Sequence, residues 1–412
     1  MKREGAALSF SFPRLFKVAQ DFTYALNRMI KRLVLYPTIL VSLVLFVHFW
    51  LTQPLFWKSI PYRLQAYKLA FTQVECDPGA PDGLADLLKY QALPNFSLTG
   101  QVVYINRSGK RFSCSVVAEE NGAVGRYRLA SMTKAITAHA ILSLANTEQL
   151  DLDSQLLSYF PEVDPGKLRD PKLKAVTLAE LLNHSSGFGG PYGSDNMVKQ
   201  GETPWCPHDF SRLESIRLAG VPGTNHVYSN VAYCLLGEVL ARVTGVPYRD
   251  YIRSHYLDGT SLEFVDGGYL PDEPTYDFRN ERRFEASYVD WLDFQALSPA
   301  AGLIGRPSEF ADMVWEHLHG DAAEMLSAPL VPGCGKDLIE RCYSMNFELV
   351  RDESSKVATG IQQGYLPGAS SLLAITEKGE VLVWVSAGAP LLFDYKRQLN
   401  FAVRSFLASS SS

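Results

Sequence analysis

A chain of 412 residues that is 47% hydrophobic and 20% charged has room for one large folded domain or two modest ones, besides any segment outside the fold. Its net charge is only −5 but is unevenly spread: residues 1–32 carry seven Lys/Arg against Glu4 and Asp21, a local +5 that leaves −10 for the remainder. A body with that acidic balance excludes a nucleic-acid-binding domain.

First in chain order is an apolar run. Residues 33–57, LVLYPTILVSLVLFVHFWLTQPLFW, hold no charged side chain. The run is long enough to cross a bilayer as a helix, which takes about 20 residues. A buried helix of a soluble fold would show a polar face, which is missing here. A cleavable signal peptide would have a shorter apolar part and a small-residue cleavage site. Instead Phe49, Trp50, Phe56 and Trp57 follow, as in an interfacial belt. The sequence therefore predicts a transmembrane helix over 33–52 and a cytoplasmic basic arm over 1–32, because basic flanks stay inside. Everything after about residue 55 is expected outside the cytoplasm. Pro37 falls near the cytoplasmic end of the span, where a lost hydrogen bond costs least, and His48 reads as an interfacial residue.

Residues 53–94, turn-rich at ECDPGAPDG, read as a juxtamembrane linker. FSLTGQVVYI, a turn at NRSGK and RFSCSVVAE then predict a β-hairpin. SMTKAITAHAILSLANTEQLDLD has helical periodicity, and the middle of the chain, about 145–320, reads as helix and loop. From about residue 340 strands return, with a hairpin in SLLAITEKGEVLVWVSAG around Glu377-Lys378-Gly379. A last helix, YKRQLNFAVRSFL, precedes a Ser-rich tail over 408–412 that is expected to be disordered. The pattern is α/β, with a helical block inserted between two sheet-forming ends.

The six cysteines are Cys76, Cys114, Cys206, Cys234, Cys334 and Cys342. An even number suits disulfides outside the cytoplasm, and six allow 15 pairings, among which Cys334–Cys342 is the nearest local pair. No Cys/His spacing matches a metal site, and no cofactor is expected.

In RLASMTKAITAHA, Ser131 and Lys134 stand three apart at the mouth of an apolar run. Serine is a weak nucleophile unless a neighbouring base takes its proton, and residues i and i+3 share a helix face. The helix start would also put the Ser131 N–H where it could hold an oxyanion. A Ser-x-x-Lys match arises by chance about once in every few hundred residues, so the pair decides nothing alone.

The order RLASMTK, LDLDSQLLSYFPEV, VTLAELLNHSSGF, YSNVAYCLLGEVLARVTG, SPAAGLIGRPSEFADMV and GYLPGASSLLAI resembles the class C β-lactamase, D-alanyl-D-alanine carboxypeptidase and esterase family of serine hydrolases over residues 95–407. The resemblance implies an antiparallel sheet flanked by helices with an inserted all-helical subdomain, the site lying between them. It also implies Ser131 as nucleophile, Lys134 as its partner, Tyr228 as the proton-sharing tyrosine and Asn230 as a substrate-orienting amide. A phenol can act as a base at neutral pH only if a cation lowers its pKa, and Lys134 would be that cation. As a structural residue, Asn230 would be a helix N-cap. Two decoys carry less weight. Tyr104-Ile105-Asn106 precedes the nucleophile on a hairpin, and Ser194-Asp195-Asn196 lacks the apolar helix that follows Tyr228-Ser229-Asn230. His184 and His139 read as structural.

At the third motif the chain departs from the family, which has Lys or His, then Thr or Ser, then Gly. One register places Gln362-Gln363-Gly364 there, with the Tyr365 N–H completing an oxyanion hole; the other uses Ala358-Thr359-Gly360. Neither supplies a cation, which argues against efficient recognition of a carboxylate. The expectation is a single-pass inner-membrane protein with a periplasmic serine hydrolase domain, forming an acyl-enzyme on a small or peptide-like substrate. The alternative is a catalytically weak binding or sensor module that keeps the fold.

Overall fold

The computed structural model describes residues 12–52, 54–89, 99–117, 125–189, 203–274, 292–327, 331, 342–351, 358–366, 369–387 and 394–410. The chain divides into two compact units, Met1–Ile60 and Pro61–Ser412. The first is dominated by α1 (Phe12–Thr52), which takes in both the apolar run and part of the basic arm and holds Pro37 in its interior. Its stretch Leu26–Thr52 is long and apolar enough to cross a membrane, and none of its most apolar window is buried by protein. Two of its hydroxyls are satisfied within the helix: those of Thr38 and Thr52 each donate to the carbonyl four residues back at 2.7 Å.

A second helix, α2 (Pro54–Thr72), leads into the larger unit. Residues 75–89, expected as part of a linker, belong to the fold instead. Strand β1 (Glu75–Cys76) lies along the hairpin of β2 (Gly100–Ile105) and β3 (Arg111–Val116), and the disulfide Cys76–Cys114 ties β1 to β3. Leu84, Leu87 and Leu88 are buried. Their i, i+3, i+4 spacing is one helical face, which the surrounding Pro, Gly and Asp masked.

Short strands β4 (Tyr127–Arg128), β5 (Glu263–Phe264) and β6 (Leu303–Gly305) make a small separate sheet. The C-terminal part supplies β7 (Cys342–Ser344), β8 (Phe347–Arg351), β9 (Ala358–Leu366), β10 (Ala369–Thr376) and β11 (Val381–Ser386). Among the described residues the main sheet is antiparallel, in the order β1-β3-β2-β11-β10-β9-β8-β7. Its two chain ends therefore meet at β2 and β11, in the register Val381↔Ile105 to Ser386↔Gly100.

Both faces of this sheet are buried, which is why β11 reads as the unbroken run VLVWV. Val381, Val383 and Val385 join Val103, Ile105, Leu373 and Ile375 in the core shared with the helical block. Leu382 and Trp384 join Val102, Tyr104 and Leu372 on the other face. The helical block comprises α3 (Thr133–Asn146), α4 (Asn230–Thr244), α5 (Phe294–Ala301) and α6 (Pro307–Leu318). The far face is covered by α7 (Asp394–Ser410), through Leu399, Val403, Phe406 and Leu407. That helix continues through Ser410, past the expected start of the tail at 408, and the Ser409 hydroxyl donates back to the Phe406 carbonyl at 2.8 Å. A second disulfide, Cys206–Cys234, fastens a loop to α4. Of the expected local pair, Cys334 lies outside the described residues.

Candidate active site

Ser131 sits in a tight turn, Ala130–Met132, that runs directly into α3. Ala130 has φ +49°, a region that costs a residue with a Cβ roughly 1–2 kcal/mol. Backbone held in that region marks a place where the surrounding structure overrides local preference. Two contacts fix the turn. The Ser371 hydroxyl of β10 donates to the Leu129 carbonyl at 2.7 Å, and the Thr133 hydroxyl accepts the Leu303 N–H of β6 at 3.2 Å. One helical turn on, Lys134 is fully buried beneath Ser131.

A buried ammonium is tolerated only where its donors are met. Lys134 Nζ donates to Ser131 Oγ at 3.2 Å, to the Ala300 carbonyl at 2.8 Å and to Asn230 Oδ1. It also stands 5.0 Å from the ring centroid of Tyr228 and 5.5 Å from that of Tyr233. From the other side the Tyr228 hydroxyl reaches Ser131 Oγ at 2.7 Å. Ser131, Lys134, Tyr228 and Asn230 are thus brought together. The structural alternative for Asn230, an N-cap, does not hold: Ser229 is the N-cap of α4, its Oγ accepting the Ala232 N–H at 3.0 Å, and the Asn230 amide faces Lys134.

Strand β9 brings the third motif to the nucleophile turn. A Cβ on Gly364 would lie 2.1 Å from Ser371 Oγ, 2.7 Å from the Leu129 carbonyl oxygen and 3.0 Å from Ala130 Cβ, so the absent side chain permits the close approach. A Cβ on Gly360 would instead meet Leu326 and Phe347. Strand alternation puts Gln362 on the Gly364 face, where it is buried and donates to the Gln363 carbonyl at 2.9 Å. The Gln363 side chain points the other way, to Asn400 of α7 at 2.6 Å, and does not join this face. Tyr365 is 43% exposed. Ser194-Asp195-Asn196 lies outside the described residues.

The histidines separate by environment. His139 is buried two turns along α3 between the Tyr256 hydroxyl and Asp321, each at 2.9 Å, away from Ser131; burial lowers its pKa. His184 is fully buried, and desolvation, His226 and Lys134 push its pKa well below the usual value. His226 stacks on Tyr343, and burial lowers its pKa to about 4. Sequence inspection had missed the Ala300 carbonyl and the hydroxyls of Thr133 and Ser371. The first acts through its backbone and leaves no residue-type signal; Thr133 and Ser371 both lie inside the quoted motifs.

A family model described as Beta-lactamase matches residues 123–398. The chain is 28% identical over 326 residues to a probable fimbrial assembly protein, FimD of serogroup H1, from Dichelobacter nodosus, spanning 77% of this chain and 81% of that one. It is 29% identical over 245 residues to the esterase EstB of Burkholderia gladioli, over 55% of this chain and 59% of that one. A D-stereospecific amidohydrolase from a Streptomyces species has a similar fold, with a TM-score of 0.58 at 19% identity over 74% of this chain and 94% of that one.

Proposed function

Because the chain belongs to the Beta-lactamase family, we propose that it is a serine hydrolase that forms an acyl-enzyme at Ser131 and cleaves an amide, peptide or ester bond outside the cytoplasm. The observation that carries this reading is the convergence of Lys134 Nζ and the Tyr228 hydroxyl on Ser131 Oγ. In the proposed cycle Ser131 Oγ attacks the substrate carbonyl and its proton passes to the Tyr228 oxygen, made basic by the nearby Lys134 ammonium. The N–H groups of Ser131 and Tyr365 receive the oxyanion. Tyr228 returns the proton to the leaving amine or alcohol as the carbonyl re-forms. Water then repeats the sequence on the ester and frees Ser131. Asn230 orients the substrate amide or carbonyl. A neutral Gln362 in place of a cation favours an acyl group without a carboxylate there.

The external location is supported by the apolar helix beside the +5 arm and by disulfides Cys76–Cys114 and Cys206–Cys234, which persist in oxidising compartments. The similarity to a fimbrial assembly protein fits the same side of the membrane. Two experiments test the proposal. A fluorophosphonate should label Ser131, located by mass spectrometry, and labelling elsewhere would refute the nucleophile. A reporter fused after residue 60 should be active only if it works outside the cytoplasm; cytoplasmic activity would refute the topology.

A further inference from the structure

His184 lies in the loop after the short helix Leu178–Leu182, fully buried, with φ +61°. Positive φ is uncommon for residues with a Cβ, although His, like Asn and Asp, is enriched there. This turn lets one residue bond both flanks of Tyr228. Its carbonyl accepts the Val227 N–H at 2.7 Å, and its Nδ1 accepts the Ser229 N–H at 3.2 Å. The imidazole also lies against the phenol, with ring centroids 4.5 Å apart.

We infer that His184 is a positioning residue for Tyr228: it brackets the tyrosine backbone on both sides and thereby sets where the phenol oxygen meets Ser131. The inference rests on the proposed roles of Ser131 and Tyr228. Since Ser229 is also the N-cap of α4, the same bracket sets the first turn that presents Asn230 to Lys134. The Ser229 bond requires a lone pair on Nδ1, so the ring proton sits on Nε2, which faces Asn346 Oδ1 at 3.5 Å across the β7–β8 turn. Among the described residues, the groups facing the imidazole are Lys134 on α3, His226 and Tyr228 before α4, Tyr233 on α4 and Asn346. No carboxylate is among them, and burial beside Lys134 keeps the ring neutral, as the bracket needs.

The test compares kcat and KM for a nitrophenyl ester in the full chain and in His184→Asn and His184→Ala. Asn tolerates left-handed backbone and offers an oxygen near the place of Nδ1, whereas Ala offers no acceptor. Misplacing a reacting group by about an ångström costs on the order of 10²-fold, so His184→Ala should lose about 10- to 100-fold in kcat. KM should stay within about threefold, because the loss falls on the transition state. His184→Asn should recover most of kcat, which a residue that merely fills the core would not show. If His184→Ala does not fold, His184→Gln, whose acceptor stands one bond farther out, replaces it with the same expected loss relative to Asn. Equal kcat in the Asn variant and the Ala or Gln variant, or an effect on KM alone, overturns the bracket. Acylation that persists in Ser131→Ala overturns instead the reading on which it rests.

Discussion

The Tyr228 hydroxyl, on a side chain 43% exposed, stands 2.7 Å from the oxygen of buried Ser131. The phenol therefore links the buried Ser131 oxygen to the exposed side of the site. Either hydroxyl can donate in such a pair, so one short bond can carry the proton in both directions. In the proposed cycle Lys134, fully buried nearby, supplies the charge that favours a phenolate.

Tyr228→Phe removes this link and keeps the ring. Acylation should fall about 10²- to 10⁴-fold with the fold intact. Lys134→Ala should lower it comparably, with an added loss of stability because Asn230 Oδ1 and the Ala300 carbonyl lose a charged donor. Stopped-flow acylation and thermal melts measure both. Normal turnover in Tyr228→Phe would return attention to Ser194.

Gly364→Ala tests the packing of β9 on the nucleophile turn. Its Cβ would press on the Leu129 backbone, which cannot move without carrying Ala130 and Ser131 along. Overpacking of this kind costs about 1–3 kcal/mol, and displacement of the nucleophile should lower kcat by roughly 10²-fold. Chemical denaturation with parallel kinetics reads both effects; native kcat would show that the turn and the strand are not coupled.

Much of this was legible in the sequence. The hairpins and the helical insert follow from period, and Ser131 and Lys134 stand out by their spacing, whereas Tyr228 and the roles of all three come only with the family resemblance. Residues 75–89 were lost among turn formers because Leu84, Leu87 and Leu88 make only one helical turn. The direction of Gln363 was readable from the two-residue period of a strand, but treating Gln362-Gln363-Gly364 as one motif concealed it. The His184 bracket was not readable, because half of it is a carbonyl and the other half depends on a left-handed φ.

Gln362→Lys restores a cation on the face shared with Gly364. A charged hydrogen bond is worth roughly 1.5–3 kcal/mol against about 0.5–1.5 for a neutral one, so preference for a carboxylate-bearing acyl group should rise by about ten-fold. Burial of the new ammonium would reduce the gain. The measurement is the ratio of acylation rates for one acyl group with and without its carboxylate. An unchanged ratio in a folded variant would remove Gln362 from the third-motif position.

Stability should fall as the solution is acidified from about pH 6.5 toward 4. His139, His184 and His226 are all depressed by burial, the last to about 4, so the unfolded chain takes up protons in that window before the native one does. Glu180, Glu273 and Asp312, raised by burial, act in the opposite sense at the acid end. Denaturant midpoints at pH 7, 6 and 5 follow the trend. His226→Phe, which keeps the stack on Tyr343, should flatten it, and an identical slope would exclude His226 as a contributor.

The central claim is a covalent acyl group on Ser131, and the most direct measurement is rapid mixing of the full chain with a nitrophenyl ester, followed by acid quench and peptide mass spectrometry. The account predicts a burst of nitrophenol approaching one equivalent per chain, the acyl mass on the peptide containing Ser131, and neither in Ser131→Ala. Turnover without a burst and without an adduct, or an adduct on any other residue, would contradict it.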